Sequence, residues 1–342
     1  MGRALTFSDS RIIDLLKERF VPVAANINML QRQDDEEGRF LRLVAWQGRF
    51  GLSFEEAKVR MADPEHKECH QGQFAVTTEG ELLGSRHTRD PNLLLEVLEK
   101  ALENWEHRAT QREASRIGEV EGRDLRFSWH YPEDGLVLHL GCTDLPRQVD
   151  LRPEDWPRGS HNQDYVWITR EEMLSIVPEG MKVGDAFPMY GPVARRLIRY
   201  HFLDSVRGET SAWPLEALGD TEMMLTVTGA TPDRMEVRLT GHARLMEQGE
   251  WCGRKRNDGI CCLIQERGYD AQMLGYLTFD RRKRRFSRFD LTVAGARWGG
   301  TTFNMRYNDV EPAPLGIAFT IAGREARDRT PPHASPGRYF EA

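Results

Sequence analysis

Two neighbouring stretches decide the fold of the first third of the chain: QFAVTTEGELLG, residues 73–84, and DPNLLLEVLEKAL, residues 90–102. In the first stretch, apolar residues on both sides of Glu79-Gly80 predict a β-hairpin with that dipeptide in its turn. In the second, Asp90-Pro91 is a helix start signal, and apolar residues then recur at helical spacing. The sequence therefore predicts a hairpin followed by a helix.

The residues before this hairpin predict a helix, a strand and a second helix. Ser8 is the expected N-cap of the first helix, which has Ile12 and Leu16 on its apolar face. The short apolar run at 20–27, FVPVAANI, predicts a buried strand. Four acidic residues at 34–37 favour a helix N-terminus, because the helix dipole is positive there. The predicted order is thus helix, strand, helix, hairpin, helix.

This order, together with the hairpin and its closing helix, resembles the thioredoxin-like fold superfamily. The resemblance covers residues 1–110 and implies an α/β domain. Thioredoxins carry Cys-x-x-Cys after their first central strand, but residues 26–31 contain no cysteine, and residues 70–72 lack the cis-proline that precedes the family's hairpin. Dithiol exchange needs a reactive thiolate and a second thiol nearby. The resemblance therefore implies the fold without the redox activity, as in bacterial proteins with a thioredoxin-like head and a β-rich tail.

The composition is that of a globular protein with room for two domains: 342 residues, of which 39% are hydrophobic. A formal net charge of −6 argues against a general attraction to nucleic acid or anionic lipid. No apolar run predicts a transmembrane helix, and no secretory signal is predicted at the N-terminus. The five cysteines form no spaced framework, so we expect a cytoplasmic location, with a processed exported form as the alternative.

Beyond residue 110 the pattern changes. Residues 111–122 are polar and charged, which predicts a linker or an extension of the preceding helix. Alternating arms at 124–131 and 136–142 predict a hairpin, and residues 146–163 are expected to form a loop. A β-rich domain is predicted over 123–325 and a Pro-rich tail over 326–342, with helices at 170–177 and 193–205 and strands at 222–228, 235–246, 269–279, 286–293 and 317–321.

The predicted fold class is α+β. An N-terminal thioredoxin-like α/β domain is followed by a curved antiparallel sheet, a meander or half-barrel, with two helices inserted after its first hairpin. A sheet of this kind wraps around the inserted helices, a ligand or both. Helices that fill the sheet would favour an interaction module, whereas a deep concavity of mixed polarity would favour a substrate pocket.

Cys69 and His70 are candidate catalytic residues, because a thiol beside an imidazole and the carboxylate of Glu68 can be activated as a nucleophile. In an extended segment, however, Cys69 points away from its two neighbours. The alternative is an ordinary loop before the hairpin.

Three cysteines in the second region, Cys252, Cys261 and Cys262, are candidate ligands for zinc or copper. Their spacing differs from the paired Cys-x-x-Cys of zinc ribbons. The residues between them are polar and turn-forming, so the alternative is a plain hairpin loop.

Arg195 and Arg199 lie one turn apart on a predicted helix and could clamp a carboxylate or phosphate group. His201, Trp129 and Trp298 are further candidates for lining a ligand site. The alternative interpretation is that the arginines are surface charges and the aromatic residues belong to the core.

The basic run at 281–285, RRKRR, lies between two predicted strands. It is either a solvated hairpin tip or a contact for phosphate, RNA or an acidic partner. The acidic net charge and the lack of an RNA-binding aromatic motif make nucleic acid the less favoured partner.

The sequence identifies no cofactor, ligand, reaction or oligomeric state. The leading hypothesis is a non-redox, thioredoxin-like two-domain binding protein that holds a protein or small ligand on the β-rich domain or at the domain seam. One alternative is an enzyme with its site between the domains or in the β-rich domain. The other is a metal-handling protein that uses cysteine and histidine.

Overall fold

The protein is described by a computed structural model that covers residues 7, 9–25, 27–33, 35–61, 71–88, 90–109, 131–147, 161–208, 210–256, 259–302, 304, 306, 309–333 and 339–341. Contacts divide the chain into two compact units, Met1–His130 and Tyr131–Ala342. The predicted linker at 111–122 lies outside the described residues.

The first unit contains a two-stranded antiparallel sheet and several helices. Its strands pair in the predicted hairpin, with Gln73 opposite Arg86, and the predicted helix follows it. The elements are α1 (Ser10–Arg19), α2 (Ile27–Leu30), α3 (Glu36–Phe50), α4 (Phe54–Met61), β1 (Gln73–Val76), β2 (Leu82–Arg86) and α5 (Pro91–Ala109).

Local hydrogen bonds explain where these elements begin and turn. Asp9 caps α1 by accepting the Arg11 N–H at 3.0 Å, one residue after the predicted cap. The Gln47 side chain on α3 donates to Gly80 O at 2.8 Å and accepts from Leu82 N at 3.0 Å. These two bonds attach the hairpin turn to the helix.

The predicted buried strand at 20–27 is wrong. Residues 20–25 form no strand, and α2 already begins at Ile27. Val21 and Val23 are 90% and 82% exposed, so this apolar run contributes little to the core. Pro22 also removes a backbone donor that a paired strand would need. The thioredoxin-like assignment stays a prediction.

The second unit is built on a large antiparallel sheet with the strand order β4-β3-β10-β9-β8-β7-β6-β5. Strands β5 to β10 are sequential neighbours, as in a meander, and this mixed helix-and-strand architecture confirms the coarse fold class. The elements are β3 (Leu136–Asp144), β4 (His161–Ile168), α6 (Arg170–Ile176), β5 (Ala186–Pro188), α7 (Gly191–His201), β6 (Leu218–Ala230), β7 (Arg234–Arg256), β8 (Gly259–Asp280), β9 (Arg285–Trp298) and β10 (Ala313–Ile321).

The inserted helices cover one face of this sheet. On α7, Val193, Leu197 and Ile198 are buried in one continuous core with strand residues such as Leu225 and Leu291. The first of these, α6, begins with a capping box in which Thr169 is the N-cap. The interior is therefore filled by side chains, which is the arrangement that favours an interaction module over an internal pocket.

Two predictions near β3 need revision. Residues 161–163 belong to β4 instead of a loop, because this strand begins with polar residues and becomes buried only from Asp164 onward. The first arm of the predicted hairpin, residues 124–130, lies outside the described residues, while β3 uses its two edges to pair with β4 and β10.

Among the helices that the structure describes, none has the length and apolar character needed to cross a membrane.

Candidate functional site

The candidate site lies where the sheet edge changes from paired to open. Strand β5 has three residues, and the backbone pairing with β6 ends where Met189 N donates to Met223 O at 2.8 Å. The chain then turns into α7. Thr221 lies two residues further along β6, so by the alternation of antiparallel pairing its backbone groups point to the same edge as those of Met223. No described strand pairs with β6 on that side at Thr221.

A groove of about 440 Å³ lies beside this open edge. Its walls are mainly apolar and come from the end of β5, from α7, from the short helix Leu215–Ala217 and from the start of β6. Two charged side chains, Arg195 and Glu222, also line it. The apolar lining residues include Met189, Ile198, Leu215, Leu218, Met223 and Met224.

The local sequence explains the shape of the groove. Pro188 pairs opposite Met224 at a position where the missing N–H faces outward, as expected for proline on an edge strand. Pro192 is placed in the first turn of α7 and fixes the point at which the chain leaves the sheet. The helical period then buries Leu197 in the core and leaves Arg195 exposed beside β6.

Only one of the predicted arginine pair reaches the groove. Arg199 is partly buried, and its Nε donates to the carbonyl oxygen of Trp213 at 2.9 Å. Its guanidinium also lies 5.1 Å from the ring of Tyr200. Arg195, by contrast, forms no ion pair with any residue that the structure describes. The two arginines therefore do not form a clamp, and Arg195 alone is available to a ligand.

His201 and Trp298 have structural partners away from the groove. His201 is 2% exposed, with Nε2 at 2.6 Å from the Tyr339 hydroxyl and Nδ1 at 3.7 Å from Asp164 Oδ2. Trp298 Nε1 donates to Glu266 Oε1 at 2.7 Å. His201 thus joins the C-terminal Tyr339 to the core.

Several candidates cannot be placed. Cys69, His70 and Trp129 lie outside the described residues. The backbones of Cys252 and Cys262 are opposite each other where β7 and β8 pair, and Cys261 precedes Cys262 on β8, but their side chains are outside the described set. Within that set, no three His, Cys, Asp or Glu side chains are arranged to hold a metal ion.

Cys142 is the cysteine whose environment the structure defines, and it is buried on β3. Burial raises the pKa of this thiol to about 12, with Asp204 adding to the effect. Its Sγ donates to Leu203 O at 3.6 Å. A thiol in this state is not a nucleophile at neutral pH.

The basic run at 281–285 is a hairpin tip between β8 and β9, as one of the two interpretations predicted. Arg282 pairs with Asp233, and Lys283 Nζ lies 3.9 Å from Asp280. Arg284 Nη1 lies 3.3 Å from Glu179 Oε1. These pairs are largely exposed to solvent.

A second group of charged residues was not predicted from the sequence. It lies where β3, the segment after α7, the end of β9 and the segment before β10 meet. We call it the Arg–Asp cluster, and its members are Asp144, Arg147, Asp204, Arg207, Arg297, Arg306 and Asp309.

Arg306 and Asp309 form the centre of the Arg–Asp cluster. Arg306 is fully buried and donates to both oxygens of Asp204 at 2.7 Å each, to both oxygens of Asp144, and to Asp309 Oδ2 at 2.9 Å. Asp309 Oδ2 also accepts from Arg297 Nη2 at 2.6 Å and forms an ion pair with Arg207 Nη2 at 2.7 Å. The cluster therefore holds four separate segments of the chain together.

The cluster shifts the pKa values of its members. Burial by itself would raise the pKa of Asp309, but the hydrogen bonds from Arg147 and the charges of the other arginines lower it well below its usual value. Burial and the charge of Arg306 lower the pKa of Arg207. Perturbed groups of this kind occur both at functional sites and in structural ion networks.

Comparison with protein-family models, with curated proteins and with solved structures gives no significant match.

Proposed function

We propose that this chain is a binding protein whose β-rich unit holds an extended segment of a protein partner in the groove beside β6. The segment would add to the open edge of the sheet at Thr221. Its apolar side chains would enter the groove, and an acidic side chain would pair with Arg195. The thioredoxin-like character of the first unit, without its redox cysteine pair, is part of the same proposal.

The coincidence of an open strand edge with an apolar groove supports this proposal most directly. A strand that is added to a sheet edge gains affinity from main-chain hydrogen bonds and specificity from pockets for alternate side chains. The backbone of Thr221 offers the main-chain hydrogen bonds, and the methionine-rich groove offers the pockets for side chains. Flexible methionine side chains suit a surface that accepts varied apolar groups.

The filled interior of the sheet supports a binding surface at its edge. The inner face is occupied by α6 and α7, and apolar side chains from both helices join those of the strands in one core cluster. A groove of about 440 Å³ lies within the range of ligand sites. Because it opens along β6, an extended chain can enter it without unfolding the core.

Arg195 favours a partner segment that carries an acidic side chain. It is exposed, lines the groove and has no ion-pair partner among the described residues. A guanidinium recognises carboxylates through paired hydrogen bonds. Glu222 lines the same groove and would repel the same carboxylate. Substitutions that neutralise Arg195 and Glu222 should therefore change the affinity in opposite directions.

Binding can be tested with end-blocked nonapeptides in which leucine alternates with threonine and one aspartate occupies each position in turn. We expect saturable binding, followed by fluorescence polarisation of labelled peptides, that depends on the position of the aspartate. Arg195→Gln should weaken binding and Glu222→Gln should strengthen it. Arg244→Gln, an exposed arginine of β7 that does not line the groove, is the matched control.

A second substitution tests the strand edge itself. Thr221→Pro removes a backbone donor that faces the open edge, so the fold should persist while peptide binding is lost. Failure of every peptide in the series to bind, or equal binding by wild type and Thr221→Pro, would refute the proposal.

A further inference from the structure

Among the residues that the structure describes, the Arg–Asp cluster has more positive than negative groups. It contains four guanidinium groups and three carboxylates, and arginine stays protonated in proteins. The side chains of Arg207, Arg297 and Arg306 are 4%, 1% and 0% exposed. A buried charge without a counter-charge destabilises the folded state, so binding an anion beside the surplus positive charge would be favourable.

Two buried donors of this cluster, Arg207 Nε and Arg297 Nε, have no hydrogen-bond partner among the described residues. Arg297 donates through Nη2 to Asp309 Oδ2 at 2.6 Å, and its Nε lies 3.8 Å from Asp204 Oδ2. Arg207 is held more weakly, because its Nη2 lies 2.7 Å from Asp309 Oδ2, an oxygen shared with other arginines, and 3.3 Å from Asp144 Oδ2. Arg207 is therefore the arginine to which the surplus charge is assigned.

The carboxylates next to Arg207 are already shared. Asp309 Oδ2 accepts from Arg297 and Arg306 and forms an ion pair with Arg207, while Asp144 is held by both nitrogens at the end of the Arg306 guanidinium. Neither carboxylate can give Arg207 a full counter-charge. A buried N–H on a charged group that lacks an acceptor costs more than an ordinary missing hydrogen bond.

The cluster is also open to solvent on one side. Asp144 and Arg147 are 20% and 17% exposed at their side chains, whereas the arginines behind them are almost fully buried. Among the described members of the cluster, these two side chains are therefore the ones that an ion from solvent would meet first.

We infer that the Arg–Asp cluster is a binding site for one small anion, an inorganic oxyanion or a carboxylate, which accepts a hydrogen bond from Arg207 Nε and neutralises the surplus charge. This site is separate from the groove beside β6, and its existence does not depend on the proposed function. The anion would stabilise the contacts by which the cluster holds together β3, β9, the segment after α7 and the segment before β10.

The inference can be tested by titrating the full chain with inorganic phosphate, acetate and chloride at constant ionic strength. Isothermal calorimetry should show one site per chain, and the thermal unfolding midpoint should rise with the concentration of the bound anion. The three salts separate the sources: phosphate alone indicates a phosphoryl site, acetate a carboxylate site, and an equal response to chloride a site for any small anion.

Arg207→Gln should abolish the calorimetric signal or weaken it about tenfold or more, since it removes the charged donor. If that variant does not fold, Arg207→Lys keeps the charge and lacks the Nε donor, and it should bind more weakly than wild type. Arg288→Gln, an exposed arginine on β9, is the matched control and should bind like wild type. The inference is overturned if no anion binds, as expected when water satisfies Arg207 Nε, or if Arg207→Gln binds as well as wild type.

Discussion

The second unit contains two arginine-rich regions that behave in opposite ways. The basic run at 281–285 is contiguous in sequence, lies at an exposed hairpin tip and makes separate pairs with nearby acids. The arginines of the Arg–Asp cluster are scattered along the sequence, yet they converge on three carboxylates and are mostly buried. A dense run of charge in a sequence therefore did not mark the place where charge matters most in the fold.

The difference has an energetic basis. Exposed ion pairs contribute little, because water screens both charges and the side chains lose entropy when they pair. Removing one member of a buried pair leaves an uncompensated charge and is strongly destabilising. The two regions should therefore respond very differently to equivalent substitutions.

The largest effect is expected for Asp309→Asn. This change keeps the shape of the side chain and removes the charge that binds Arg147, Arg207, Arg297 and Arg306. The free energy of unfolding of the second unit should fall by about 3–5 kcal/mol. Urea unfolding followed by hydrogen exchange in β10 measures the loss, and Asp233→Asn at the hairpin tip should stay within about 1 kcal/mol of wild type.

Acid should separate the same two positions. The pKa of Asp309 is lowered in the folded chain, so its contribution to stability is complete above the unfolded value of about 3.9 and is lost as pH falls towards the lowered folded pKa. The urea concentration at the unfolding midpoint of the second unit should thus decrease as the pH is lowered below about 4. Asp309→Asn should lose part of this dependence, and Asp233→Asn should keep it; an unchanged profile in Asp309→Asn would contradict the assignment.

A smaller effect is expected for Arg147→Gln. This arginine lies at the exposed side of the Arg–Asp cluster, and Asp309 keeps three other guanidinium partners when it is lost. A charged hydrogen-bonding group of this kind contributes roughly 1–2 kcal/mol, as measured by the urea midpoint. A loss as large as that of Asp309→Asn would mean that the cluster acts as one cooperative unit.

The smallest effect is expected for Arg282→Gln in the basic run. Its side chain is 76% exposed, and its partner Asp233 is 52% exposed. Thermal unfolding should show no shift beyond experimental error, at low or high salt. A clear, salt-dependent destabilisation would show that the hairpin tip contributes to the fold after all.

Local signals in the sequence were sufficient for much of the fold. Asp90-Pro91 marks a helix start through its own chemistry, and six of the eight strands of the large sheet, β3 and β6 to β10, were predicted. Burial of the run at 20–27 was not predictable in this way, because apolar residues are buried only where a partner surface exists. The thioredoxin-like assignment of the first unit remains a prediction.

The candidate site was predictable in part. Helical spacing singled out Arg195 and Arg199, but a distant carbonyl, that of Trp213, decides that Arg199 is structural. The Arg–Asp cluster was missed because its members come from four separate segments, and only the pairs Asp144/Arg147, Asp204/Arg207 and Arg306/Asp309 are close in sequence. Convergence of this kind depends on strand order, which the sequence pattern alone did not determine.

The exposed groove beside β6 differs from both arginine-rich regions, since Arg195 has no ion-pair partner among the described residues. Amide hydrogen exchange tests the proposed role of this groove most directly. With a bound acidic nonapeptide, exchange at Thr221 should slow, while exchange at Leu274, an exposed position on the central strand β8, should not change. Binding without protection at Thr221 would contradict strand addition at this edge.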